Sequence, residues 1–166
     1  MRHSFKNDYA EGAHPRILEA IIKSNLSQQN GYGLDEFSLN AAQLIKTKCD
    51  STYASVHFVS GGTQANLIVI SALLRPHESV VAAHTGHIFT NEAGAIEATG
   101  HKVHGVLTSD GKLRPEDIQS VLDIHQNVPH QIKQKMVYIS NSTEVGTIYS
   151  MRELRDLYSF CQDKNL

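Results

Sequence analysis

Residues 58–71, "FVSGGTQANLIVIS", decide how this chain is read. Phe58, Val59 and Ser60 close a run from Ala54 that is β-branched and aromatic, and therefore strand-like. Gly61 and Gly62 follow as a tight turn, and from Thr63 to Leu74 the residues have the apolar content and length of a buried helix. In an open α/β sheet, ligands bind beyond the carboxyl ends of the strands, where loops lead into helix N-termini. The first helical turn leaves backbone N–H groups unpaired, the helix dipole adds partial positive charge, and two glycines let an anion approach closely. A phosphate suits such a place, and Thr63 can add a hydroxyl. A purely structural reading stands beside it, because a sharp strand-to-helix junction needs glycine for its dihedrals whatever it binds. The patterns GxGxxG and GxxxxGK[ST] are absent, which argues against a dinucleotide or P-loop site.

Working outward, "ESVVAAH" (78–84), "HKVHGVL" (101–107) and "KMVYISN" (135–141) read as further strands after the one at 54–60. Between and after them, 91–100 is expected to form a short helix closing on Gly100. Residues 113–126 form a helix opened by Pro115 and two acids, and 150–166 a last helix. Upstream, the first fourteen residues read as a polar arm. Pro15 opens a helix carrying Ile17, Leu18, Ile21 and Ile22, "NGYG" at 30–33 stops it, and a second helix runs from about Glu36 to Cys49. The strand–helix alternation predicts an α/β fold: three layers, α/β/α, around a mostly parallel sheet. The expected organisation is an arm over 1–14 and one domain over 15–166. Another strand is expected after the last helix, so the chain reads as the N-terminal part of its domain.

Composition narrows the function. The 166 residues carry a net charge of -2, so no basic field favours nucleic acid. No apolar run approaches the roughly 18 to 20 residues of a membrane span, and the first dozen residues are not of signal-peptide type. Cys49 and Cys161 lie far apart without a CxxC spacing, which predicts free thiols and a cytoplasmic protein. "HTGH" (84–87) and "HKVH" (101–104) space two histidines by three, a pattern open to metal binding. On a strand, however, that spacing points the pair to opposite faces, and no metal ligand is assigned. His84, His101 and His104 read as surface or strand-end residues.

The run "FVSGGTQANLIVISALLRPHESVVAAHTGHIFTNEAGAIEATG" resembles the threonine aldolase and β-eliminating lyase family of pyridoxal-phosphate enzymes, in the aspartate aminotransferase-like fold. "NDYAEGAHP", "YGLDE" (32–36), the H-x-x-x-x-E-A-G stretch from His87 to Gly94, and "YISNSTEVGTIYS" (138–150) extend the resemblance over nearly the whole chain. It implies the N-terminal part of the large cofactor domain, with pyridoxal 5'-phosphate as cofactor. Gly61, Gly62 and Thr63 would cradle its phosphate. His87 would stack on the ring face and assist proton transfer, work suited to a flat group that titrates near neutrality. Asn7 and Asp8 match a Ser-Asp pair that helps place the substrate carboxylate, and Tyr32 a tyrosine that approaches a neighbouring subunit's site. Thr143 stands where many members carry a histidine that contacts the substrate hydroxyl. Glu92 lies in the same motif as His87, with a helix-cap or packing role open to it.

The implied activity is cleavage of a β-hydroxy-α-amino acid, such as threonine, allo-threonine or phenylserine, to glycine and an aldehyde, by a homo-oligomer (dimer or tetramer). Lys46, Lys48, Lys102, Lys133 and Lys135 are not in the context of the family's Schiff-base lysine, and that lysine and the acid facing the pyridine nitrogen are expected beyond Leu166. A second reading follows: a catalytically inactive remnant that self-associates or binds phosphorylated ligands weakly.

Overall fold

The computed structural model describes Ser4, Asn7 and residues 9–126 and 129–166. The chain forms two compact units, one ending at Phe58 and the other beginning at Val59.

The first unit holds two helices. Helix α1 (Pro15–Ser24) starts where expected, with the His14 ring accepting from the Arg16 amide at 3.2 Å. It stops at Ser24, before the "NGYG" segment. Helix α2 (Glu36–Lys48) is capped by Asp35, which accepts from both the amide and the hydroxyl of Ser38 at 2.7 Å. The Ser38 hydroxyl bond holds the Asp35 carboxyl below its ordinary value. The apolar face of α1, with Ile17, Leu18, Ile21 and Ile22, is exposed.

The second unit is built on a three-stranded parallel sheet in the order β2-β1-β3, with β1 (Glu78–Ala83) in the middle. Strand β2 (Val103–Val106) pairs Val80 with Val103, and β3 (Lys133–Val137) pairs Val81 with Val137 past an irregularity at Ser79/Val80. Every residue of β1 is buried, as a central parallel strand covered on both faces requires. Its side chains alternate. Val80 and Ala82 pack with Ile70 and Leu74 at the end of helix α3 (Gly62–Leu73), together with Ile88, Ile96 and Val103. Val81 and Ala83 pack on the other face with Leu113 and with Val121 of helix α5 (Pro115–Ile124). Ile118 of α5 meets Tyr149 and Leu157, the latter on helix α6 (Met151–Asp163). This is the expected parallel α/β arrangement, helices on both faces.

Three expectations are corrected. Residues 54–60 form no strand, because a strand exists by pairing and nothing among the described residues pairs with them. The helix expected over 91–100 is instead a turn and a 3-10 segment at Glu97–Thr99 that does close on Gly100 at φ 86, and a one-turn helix α4 (His87–Thr90) precedes it. The break follows from Ala93 and Gly94, which both take left-handed backbone (φ 51 and 76) that helix cannot contain. His101 and His104 are buried and not on the surface, although His101 does stand at a strand end, just before β2. His104 lies within β2, where α5 covers it, and its ring meets that of His125 edge-on at 4.6 Å.

Candidate functional site

The glycine turn opens α3. Gly61 is its N-cap with extended backbone (φ 174), no side chain caps the helix, and Gly61 to Gln64 are exposed. A Cβ placed on Gly61 or Gly62 would meet nothing within 4 Å. The approach to the first-turn amides is therefore unobstructed, and the arrangement can accept a phosphate-sized anion. Ser60 is engaged within the turn itself. Its amide and its hydroxyl both donate to Gln64 Oε1, at 2.7 and 2.8 Å, tying the entering chain to the helix. That leaves Thr63 as the hydroxyl on the turn.

His87 opens α4, just past the carboxyl end of β1, and its side chain is 46% exposed. Its Nε2 stands 3.7 Å from Glu92 Oε1, and the Glu92 side chain is fully buried. The same Glu92 oxygen accepts the side-chain amide of Asn66, from the second turn of α3, at 2.8 Å. A chain of contacts thus runs from the cradle helix through Asn66 and Glu92 to His87. Sequence reasoning missed this link. Asn66, one helical turn after Gly62, and Glu92, five residues past His87, were the signals that pointed to it.

Thr143 is buried. Its hydroxyl shares a 2.7 Å hydrogen bond with that of Thr147, accepts from the Thr147 amide, and so holds a turn that Thr147 anchors to the Asp110 carbonyl. The first unit carries Asn7, whose Oδ1 accepts from the Tyr9 amide at 3.3 Å, and Tyr32, exposed at a left-handed φ of 63. Asp8 lies outside the described residues. Lys133 and Lys135 belong to β3. Among the described residues no group of three His, Cys, Asp or Glu side chains is placed to hold a metal ion, and no helix is long and apolar enough to cross a membrane.

Behind the sheet, two groups are electrostatically displaced. Burial pushes the His104 imidazole down to about 4, helped by Lys102 and His125. Glu153 on α6 is held down to about 2, chiefly by the Lys112 ammonium 2.5 Å from its Oε1.

Comparison with known proteins agrees with this fold. A family model described as beta-eliminating lyase matches residues 9–166. The low specificity L-threonine aldolase of Pseudomonas aeruginosa is 32% identical, over 98% of this chain and 47% of its own length. That of Saccharomyces cerevisiae is 22% identical over 90% of this chain and 38% of its own. A solved structure of Leishmania major threonine aldolase is 49% identical with a TM-score of 0.94, covering 96% of this chain and 46% of that one. The chain spans about half the length of the relatives it matches.

Proposed function

This chain belongs to the beta-eliminating lyase family, and we propose that the protein is a pyridoxal-phosphate-dependent aldolase acting on β-hydroxy-α-amino acids. The observation that carries the reading is the open, uncapped first turn of α3, tied through Asn66 and Glu92 to the half-exposed ring of His87. When bound, the cofactor supplies an electron sink for the bonding pair left at Cα as the Cα–Cβ bond opens.

The protein's own residues bind, orient and move protons. Gly62 and Thr63 would hold the phosphate with backbone N–H groups, and Thr63 with its hydroxyl, while Gly61 leaves the approach clear. His87 would stack on the ring of the bound cofactor and could carry a proton between substrate and solvent. Asn7 and Asp8 help place the substrate carboxylate. Tyr32 serves the site of a neighbouring subunit in a dimer or tetramer. Thr143 lines the substrate's hydroxyl side, its own hydroxyl shared with Thr147. The domain begins near residue 15, and the two unpaired cysteines suit the cytoplasm.

The test is aldehyde release from threonine, allo-threonine and phenylserine by the protein in its native length, with added pyridoxal phosphate. Glycine and the matching aldehyde in equal amounts are expected. A protein that binds the cofactor yet releases no aldehyde from any of the three would overturn the substrate assignment, and one that binds no cofactor would overturn the whole reading.

A further inference from the structure

Glu92 is buried at a cost. Its Oε1 holds the Asn66 amide, but Oε2 is enclosed with no hydrogen-bond partner among the described residues. An enclosed polar atom without a partner is destabilising, and a side chain chosen for packing would avoid it. Nor does Glu92 cap a helix: α4 ends with Asn91 as its cap, and the 3-10 segment begins from Ile96. The distinctive feature of the position is that one oxygen faces two elements, the Asn66 amide of α3 and the His87 Nε2 of α4 at 3.7 Å.

We propose that Glu92 is a positioning residue for His87: it keeps the hydrogen of the neutral imidazole on Nε2, while its separate bond to Asn66 ties the segment that carries His87 to α3. The proposal rests on the reading of His87 and that turn as the cofactor site. A neutral imidazole has one donor and one acceptor nitrogen, and an oxygen beside one nitrogen favours the hydrogen there. At 3.7 Å the influence is electrostatic or passes through a bridging water. Nδ1 is then left with its lone pair, the nitrogen able to accept a proton. Glu92 acts only through His87 and meets neither substrate nor cofactor.

Long-range proton–nitrogen NMR of the histidine rings tests this on the cofactor-free protein, at a pH well above the ordinary histidine range, with His87 assigned from the signals lost in His87→Asn. The Nε2–H form should dominate. Glu92→Gln keeps the size of the side chain and an acceptor for Asn66 but replaces the carboxyl by an amide. It should move the tautomer ratio towards Nδ1–H by about threefold or more. An unchanged ratio in a folded Glu92→Gln overturns the proposal. Should that variant not fold, Asn66→Ala decides: Oε1 is then free for His87, so the Nε2–H preference should hold or rise, and a fall overturns the proposal. Absorbance titration of the unsubstituted protein with pyridoxal phosphate separates the two readings. A tautomer shift without cofactor binding upholds Glu92 and removes the cofactor, whereas binding without a shift does the reverse.

Discussion

Asn66 and Glu92, 26 positions apart, meet at 2.8 Å, and that bond joins the helix behind the glycine turn to the segment carrying His87. Because the Glu92 side chain is fully buried and Oε2 already lacks a partner, removing Asn66 would leave the whole carboxyl without a hydrogen-bond donor. Asn66→Ala should therefore cost about 1–3 kcal/mol of stability. Urea denaturation of the two proteins reads this directly, and a loss well under that range would mean water takes the amide's place.

At Gly62, stability and binding should move in opposite directions. A carboxylate at the start of α3 favours the helix dipole and meets no obstruction, so Gly62→Asp should hold or raise Tm. The same charge repels a phosphate, and the dissociation constant for pyridoxal phosphate should rise by about tenfold or more. Calorimetry for the first and absorbance titration for the second check the pair of outcomes. Unchanged cofactor affinity would move the phosphate elsewhere.

Acid should weaken the protein through His104. Its folded value is about 4 against an ordinary 6.5, so the unfolded chain takes up the proton first. The stability this group contributes is complete above 6.5, declines as pH falls, and is gone below about 4. His104→Gln removes the titration. Its Tm should fall less than that of the unsubstituted protein across this window, and parallel curves would refute the assignment.

Tyr149 is buried, and its hydroxyl oxygen accepts the backbone amide of Leu113 at 2.6 Å. Tyr149→Phe leaves that enclosed amide without an acceptor and should destabilise by about 1–3 kcal/mol. Hydrogen exchange at Leu113 should quicken in the same variant, a local signature that loss of packing alone would not produce.

Gly105 lies on β2 under the Phe89 ring, where an added Cβ would fall 2.6 Å from two ring carbons. Gly105→Ala should cost about 1–3 kcal/mol by overpacking. Phe89→Leu in the same chain should recover part of that loss. A double variant no more stable than Gly105→Ala would place the cost in the backbone instead.

The legible parts of the sequence were those governed by local rules. Pro15 and Pro115 mark helix starts because first-turn prolines act within three or four residues. The apolar run at 78–84 reads as a strand, and β1 is one, buried on both faces. Residues 54–60 misled for the complementary reason: β propensity describes a residue's fit to a sheet and cannot supply the neighbouring strand. Ala93 misled as well, since nothing in alanine itself announces a left-handed backbone.

By itself, the sequence determined the parallel α/β class, the open glycine turn at the head of α3, and the family, because alternation, capping and motif spacing are written in neighbouring residues. Only the tertiary structure decided which of those residues act together. Asn66 reaches Glu92, the neighbour of His87, from a distant stretch of the chain, and His104 and His125 become an edge-on pair only when α5 covers β2. Burial and distance are properties of the packed chain: they set which oxygen lies beside which nitrogen, and no spacing along the sequence encodes that.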